Sequence, residues 1–111
     1  MAGYVPAKGD VVAVSLDPQA GHEQKGRRPA LVISNDLFNR RTGLAILCPV
    51  TNTRRDFPFH VAMPEGASVT GSVMVEQIKS VDWRARRVRL IERVPEETLR
   101  EALGLLDAVI Y

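Results

Sequence analysis

The sequence has a single cysteine, Cys48, and aromatic residues make up only 5% of its 111 residues. One cysteine excludes a disulfide within the chain and any cysteine-rich zinc site. No apolar run approaches the length of a membrane span, and the N-terminal segment MAGYVPAKGD lacks the apolar core of a signal peptide. We therefore expect a cytoplasmic protein without membrane contact.

The composition fits one globular domain over residues 1–111, with 45% hydrophobic and 25% charged residues. The net charge is only +2, but it is unevenly distributed. Residues 1–93 carry fourteen Lys or Arg against nine Asp or Glu, whereas residues 94–111 carry one Arg against four acids. A basic body favours a polyanion such as RNA, or an acidic protein partner, although a mixed solvated surface also explains so small an excess.

Short apolar or alternating segments between turn residues predict strands at 11–16, 30–34, 44–50, 59–63, 72–78 and 88–94. Pro49 inside one of them indicates an edge position, a bulge or a strand end. Residues 35–39 predict one helical turn, capped by Asn35 or Asp36.

The last element has the pattern of a helix over about residues 95–109. Pro95 suits a first helical position, two glutamates follow it, and apolar residues recur at helical spacing. The apolar residues are Leu99, Leu103, Leu106 and Ile110. Many short strands and one terminal helix predict a mainly β fold, either a small antiparallel barrel or a strongly curved sheet.

Residues 22–34, HEQKGRRPALVIS, change from a polar loop to an apolar strand immediately after Arg28. A guanidinium held by a strand end matches phosphate oxygens and can stabilise negative charge in a transition state. The alternative is an arginine in a weak surface ion pair. Thr51, in the segment PVTNT, offers a hydroxyl beside loop amides that could bind an anion, or simply caps a turn.

Three further residues could carry acid–base chemistry, namely His22, Glu23 and His60. Each is also explained as a solvated or satisfied side chain, which is the more common state of such residues, and two histidines without a third ligand make a poor metal site. The basic segment 79–87 contains Trp83. It could bind single-stranded RNA by phosphate contacts and base stacking, or it could be a hairpin whose tryptophan covers the core.

Taken in order, these segments resemble the MazF (PemK-like) toxins of bacterial toxin–antitoxin systems. The matching residues run almost from end to end: Tyr4-Val5-Pro6, Gly9-Asp10, Asp17-Pro18, Gly21, Glu23-Gln24, Arg28-Pro29-Ala30, Thr42-Gly43, Pro49, Thr51, Phe57-Pro58-Phe59, Gln77-Ile78-Lys79-Ser80, Trp83-Arg84-Ala85-Arg86 and Pro95-Glu96-Glu97. Three residues depart from the family's pattern: His22 and Lys25 in the loop, and Glu76 where Asp is expected.

The resemblance implies an SH3-like barrel with a C-terminal helix, assembled as a homodimer. It also implies sequence-specific cleavage of single-stranded RNA without metal or cofactor, leaving 2′,3′-cyclic phosphate and 5′-hydroxyl ends. Arg28 and Thr51 would be catalytic, with Glu23 as a further catalytic residue. The implied RNA contacts are Asn52, Gln77, Lys79, Ser80 and Arg86. The implied protein partner is a MazE-like antitoxin whose acidic C-terminal tail occupies the RNA groove.

Two other functions fit the same fold. One is a poison that binds DNA gyrase, as the CcdB toxins do, and the other is a barrel that binds RNA without cutting it. Function depends on the site and not on the fold, so the fold alone does not separate the three. The pair of Arg-Pro-Ala and Pro-x-Thr segments favours cleavage.

Overall fold

A computed structural model describes residues 3–15, 27–52 and 57–111. Within these ranges the chain forms seven strands and two α-helices. The strands are β1 (Asp10–Ser15), β2 (Arg27–Val32), β3 (Leu44–Thr51), β4 (His60–Ala62), β5 (Ser72–Met74), β6 (Lys79–Asp82) and β7 (Arg89–Arg93), and the helices are α1 (Asp36–Thr42) and α2 (Glu96–Ile110). The mainly β fold with a C-terminal helix is therefore confirmed.

All strand pairs are antiparallel, in the order β4-β5-β3-β2-β1-β7, with β6 also pairing with β3. Among the described residues this path has two ends, β4 and β7, so the sheet curves without closing into a barrel. Strand β3 is central because it pairs with β2 along one edge, and with β6 and then β5 along the other.

The two faces of the sheet are both buried, but against different elements. Leu31, Cys48 and Val50 belong to a core cluster that includes Ala102 of α2. Ala30, Val32 and Leu47, their neighbours along the same strands, belong to a second cluster on which Tyr4 packs. Side chains alternate between the faces of a strand, so each residue of β2 and β3 can be assigned to the helix face or to the opposite face.

The N-terminal segment is held by one buried acid. Asp10 accepts hydrogen bonds from the Tyr4 hydroxyl and from the Ala7 amide at 3.0 Å, and it pairs with Arg93 Nη1 at 2.8 Å. Burial, and then the bond to Asp10, raises the pKa of the Tyr4 phenol above its ordinary value. Two chain segments more than 80 residues apart are thereby joined at β1 and β7.

Helix α1 begins where the sequence indicated. The Asn35 side chain accepts a hydrogen bond from the Phe38 amide at 2.9 Å, which confirms the predicted cap. The helix runs past the predicted single turn to Thr42 and ends at Gly43, whose φ of 77° is left-handed. At α2, Pro95 is the cap residue rather than the first helical residue. No helix in the described ranges is both long and apolar enough to cross a membrane.

Four strand predictions need correction. The strand predicted at 30–34 begins at Arg27 and ends at Val32, so Arg28 lies within the strand and not before it. The strand predicted at 72–78 ends at Met74, because residues Val75–Gln77 form a 3-10 turn. Strand β6 was missed, since its residues are largely polar and exposed. Pro49 is not on an edge strand. It lies in central β3, between the part that pairs with β6 (residues 44–47) and the part that pairs with β5 (residues 50–51).

Candidate active site

The two arginines that open β2 have different surroundings. Arg27 donates hydrogen bonds to the carbonyl oxygens of Ala13 and Arg86, both at 3.4 Å, and so joins β1 to the turn after β6. Arg28 is exposed, and no hydrogen bond or ion pair engages its guanidinium among the described residues. Arg28 is therefore the arginine that is available to bind an anion.

The strand register relates Arg28 to Thr51. Strands β2 and β3 pair Val32 with Leu47 and Ala30 with Pro49. Extending this register by two residues brings Arg28 opposite Thr51, where the Cβ atoms in a regular ladder are about 5 Å apart. Both residues fall on the face opposite α2, because each lies an even number of residues from a member of that face. The register of the two strands, continued in this way, therefore relates the two predicted catalytic residues to each other.

Backbone packing fixes the position of Thr51. The residue is partly buried at the end of β3 and pairs with Ser72 of β5. Gly71 has a φ of +108°, and a Cβ there would overlap the Thr51 carbonyl oxygen. Only glycine fits at that approach. Asn52, which follows Thr51, is exposed at the end of the strand.

The predicted RNA contacts that follow β5 do not all lie on one face of the sheet. Gln77 is exposed in the 3-10 turn, and Lys79 and Ser80 open β6 opposite Leu47 and Ile46. Lys79 shares the face of Leu47, and therefore of Thr51, whereas Ser80 lies on the other face. Thr51 lies four residues beyond Leu47 along β3, which is a distance of about 13 Å along the strand. Lys79 therefore lies apart from the Arg28 and Thr51 positions on the same face.

Arg86 lies at the same end of the sheet as Arg28. Its Nη1 donates to the Ser15 carbonyl oxygen at 3.1 Å, and Ser15 pairs with Arg27 in the β1–β2 ladder. This bond leaves the other guanidinium nitrogens of Arg86 for an anion.

Trp83 packs into the fold instead of presenting a stacking face. The residue is 7% exposed, and its indole N–H donates to the Asn39 carbonyl oxygen at 2.8 Å. The Arg84 guanidinium lies 5.0 Å from the ring centroid. The structure thus favours the interpretation in which the tryptophan covers the core.

The loop residues His22 and Glu23 lie outside the described residues, so Glu23 stays a prediction. Cys48 is buried, and burial followed by the charge of Glu76 raises the pKa of its thiol to about 12. A thiol with so high a pKa is a poor nucleophile at neutral pH. No cluster of three or more His, Cys, Asp or Glu side chains suited to a metal occurs in the ranges that the structure describes.

The pairing of His60 with Glu76 is the site feature that the sequence did not reveal. His60 Nε2 lies 3.1 Å from Glu76 Oε2, although the two residues are sixteen apart in the chain. The Phe57 ring centroid lies 4.7 Å from the centroid of the imidazole. No local signal could have found this pair, because the β4–β5 register brings it together.

Comparison with known proteins agrees with this geometry. Residues 7–110 match the family model described as "PemK-like, MazF-like toxin of type II toxin-antitoxin system". The chain belongs to this family. It is 41% identical over 107 residues to two Escherichia coli proteins: the endoribonuclease toxin MazF of strain K12, with 96% of each chain covered, and the endoribonuclease PemK, with 93% of this chain and 80% of that one covered.

Solved structures support the same assignment. The crystal structure of MazF (Form-I) from Deinococcus radiodurans superposes with a TM-score of 0.88 at 42% identity, covering 97% of this chain and 98% of that one. A MazE–MazF structure (Form-II) from the same organism gives a TM-score of 0.87 at 36% identity, with 97% of each chain covered. The predicted membership of the MazF-like family is confirmed.

Proposed function

We propose that this chain is an endoribonuclease toxin that cleaves single-stranded RNA, including messenger RNA, in the cytoplasm. The proposal is supported by the register of β2 and β3, which, continued two residues past the pair of Ala30 and Pro49, puts Arg28 opposite Thr51 on the face away from α2. A guanidinium that has no partner among the described residues, beside a hydroxyl, would form a positive, hydrogen-bonding site for one phosphodiester. The names of the E. coli relatives, PemK and MazF, support the same activity.

The proposed reaction uses the nucleophile of the RNA itself. The ribose 2′-hydroxyl attacks the adjacent phosphorus and loses its proton to a base, the bond from phosphorus to the 5′-oxygen breaks, and that oxygen is protonated. The products are a 2′,3′-cyclic phosphate and a 5′-hydroxyl. No metal is needed in this scheme, because Arg28 supplies the positive charge for the phosphoryl oxygens and Thr51 donates a hydrogen bond to one of them.

Arg28 cannot act as the base, because a guanidinium stays protonated near neutral pH. We propose Glu23 for this role, on the loop that leads to Arg28. DNA would not be cleaved, because it lacks the 2′-hydroxyl. Gln77, Lys79 and Arg86 are proposed to hold the neighbouring nucleotides, together with Asn52 and Ser80.

The proposed assembly is a homodimer that binds a MazE-like antitoxin. The MazE–MazF structures from Deinococcus radiodurans support the antitoxin as the partner. An acidic tail would be attracted by the same basic side chains that bind RNA, so antitoxin and substrate would exclude each other. Light scattering of the pure protein tests the dimer. Competition of a synthetic acidic tail with RNA binding tests the shared surface.

The decisive experiment is cleavage of a long unstructured RNA in EDTA by the wild type, Arg28→Ala, Thr51→Ala and a control, Arg41→Ala. Arg41 is an exposed arginine of α1, so its substitution removes the same charge elsewhere. We expect the wild type and the control to cut at one short sequence and to leave 5′-hydroxyl ends, and both site variants to fail while remaining folded. Intact RNA at enzyme excess would refute the catalytic assignment and favour gyrase binding or passive RNA binding.

A further inference from the structure

Among the described residues, one buried imidazole nitrogen has no hydrogen-bond partner. The His60 side chain is only 6% exposed, and its Nε2 is bonded to Glu76. Its Nδ1 is buried, and no hydrogen bond reaches it in the part of the chain that the structure describes. Leaving a buried polar atom unsatisfied costs free energy, so such an atom in a native fold calls for an explanation.

The bond to Glu76 determines what the free nitrogen can do. A carboxylate oxygen only accepts hydrogen bonds, so the proton of the neutral ring sits on Nε2. Nδ1 is then a lone-pair acceptor. Its missing partner is a donor, such as the amino group of a nucleobase.

His60 lies on the face that carries the candidate active site. Thr51 pairs with Ser72, Ser72 pairs with Ala62, and His60 is two residues before Ala62 in β4. Their neighbours along the same strands belong to the core cluster that packs against α2, namely Val50, Val73 and Val61. Thr51, Ser72, Ala62 and His60 therefore lie on the opposite face of the sheet. Two strand spacings and one two-residue step separate the Cα atoms of His60 and Thr51 by roughly 12 Å. That distance is too long for the reacting phosphate and suits a neighbouring nucleotide.

Phe57 supplies the other half of a base site. The residue is 44% exposed, and its ring is tilted by 50° to the imidazole at a centroid distance of 4.7 Å. An exposed aromatic ring offers a stacking surface to an unpaired base, while a polar atom beside it reads the edge of that base. Nδ1 is buried, so a base that stacks on Phe57 has to displace neighbouring atoms to reach the nitrogen.

We propose that His60 Nδ1 accepts a hydrogen bond from the exocyclic amino group of an adenine or a cytosine near the scissile bond, with Phe57 stacking on that base. Adenine carries its amino group at C6 and cytosine at C4, where guanine and uracil carry a carbonyl oxygen that an acceptor repels. The amino group of guanine lies at C2, on a different edge of the base. His60 is therefore a specificity residue that does not take part in the reaction. The inference rests on the proposed RNA cleavage and names one element of its sequence preference.

Two isosteric substitutions separate base reading from support of the fold. His60→Gln places an amide nitrogen near the Nε2 position, which keeps the bond to Glu76 and removes the acceptor at Nδ1. His60→Asn places an amide oxygen near the Nδ1 position and gives up the bond to Glu76. Each full-length variant is incubated with a randomised single-stranded RNA pool, and the 5′-hydroxyl ends are sequenced to give relative cleavage rates for every base at every position.

We expect the wild type to prefer adenine or cytosine at one position beside the cleaved bond. His60→Gln should lower that preference about fivefold, the usual value of one hydrogen bond, while His60→Asn retains most of it. Preferences at the other positions should not change. Phe57→Leu should raise KM about tenfold through lost stacking, and an unchanged KM would overturn that part of the proposal.

In the opposite pattern, His60→Gln retains the preference for adenine or cytosine and His60→Asn loses it. That result would show that His60 only supports Glu76 and would overturn the inference. A wild type that cleaves RNA with guanine or uracil preferred at that position, or with identical preferences in all His60 variants, would overturn it as well. A wild type that leaves the pool intact, the result expected of Arg28→Ala, would instead refute the proposed function and the inference with it.

Discussion

Gly71 lies against the backbone of Thr51 so closely that no side chain fits between them. A Cβ at Gly71 would overlap the Thr51 carbonyl oxygen, and the residue has a φ of +108°. This contact lies where β5 pairs with β3, and it fixes the position of Thr51, which supplies the hydroxyl of the candidate site. Substitution at Gly71 therefore affects both stability and the site.

We expect Gly71→Ala to lower the free energy of unfolding by about 3 kcal/mol, because the overlap adds to the cost of the left-handed backbone. RNA cleavage should fall with it. Gly43→Ala is the matched control, since Gly43 also has a positive φ but has no neighbouring atom within 4 Å of the added Cβ. Its expected loss is roughly 1 kcal/mol. Equal losses in urea denaturation would show that the close approach to Thr51 contributes nothing.

Arg27 and Arg28 should respond to substitution in opposite ways. Arg28→Ala is expected to reduce kcat at least about 100-fold, the usual effect of removing one group that stabilises transition-state charge, at unchanged stability. Arg28→Lys should recover little, because a point charge does not reproduce the planar fork. Arg27→Ala should lower the free energy of unfolding by about 1 kcal/mol through the lost bonds to Ala13 and Arg86. Single-turnover kinetics and urea denaturation of the same preparations test these two roles. A loss of activity only in Arg27→Ala would mean that Arg27, and not Arg28, is the catalytic arginine.

Asp10 should be the charged residue whose loss destabilises the fold most clearly. Asp10→Ala removes partners from the Tyr4 hydroxyl, the Ala7 amide and Arg93 at once. We expect a loss of roughly 3 kcal/mol in urea denaturation. Arg100→Ala, which breaks an exposed ion pair with Glu96, serves as the comparison and should cost less than about 0.5 kcal/mol. A loss below about 1 kcal/mol for Asp10→Ala would contradict a structural role for this network.

Cys48 should stay unreactive in the folded protein. Its pKa is raised from 9.0 to about 12, because burial and then the charge of Glu76 disfavour the thiolate. Ellman's reagent at pH 8 should therefore label the native protein far more slowly than the protein in urea. Rapid labelling of the native protein would mean that the thiol is accessible.

The same shift predicts how stability depends on pH. Between pH 9 and about 12 the folded state keeps the Cys48 proton and the unfolded state loses it. The folded state binds more protons in this range, so the stability contributed by Cys48 falls as pH rises. The difference in unfolding free energy between the wild type and Cys48→Ala should consequently shrink from pH 9 upwards. A difference that does not depend on pH would contradict the raised pKa.

Much of the fold could be predicted from local patterns. The Asn35 cap, the C-terminal helix and most strands follow from periodicity and capping chemistry, which act over a few residues. Strand β6 and the early end of β5 were not predictable in this way. A short polar strand has no periodicity to detect, and β6 is specified by its pairing with residues Leu44 to Leu47 of β3.

The sequence by itself determined the mainly β class, the family resemblance and the identity of the candidate catalytic residues Arg28 and Thr51. Only the tertiary structure decided which of the two arginines lacks a partner among the described residues, how the register of β2 and β3 relates Arg28 to Thr51, and that His60 meets Glu76. The physical reason is that strand register sets which side chains meet across a sheet, and a shift of one residue would move each to the other face. Register depends on pairings between distant segments, which no local pattern of residues records.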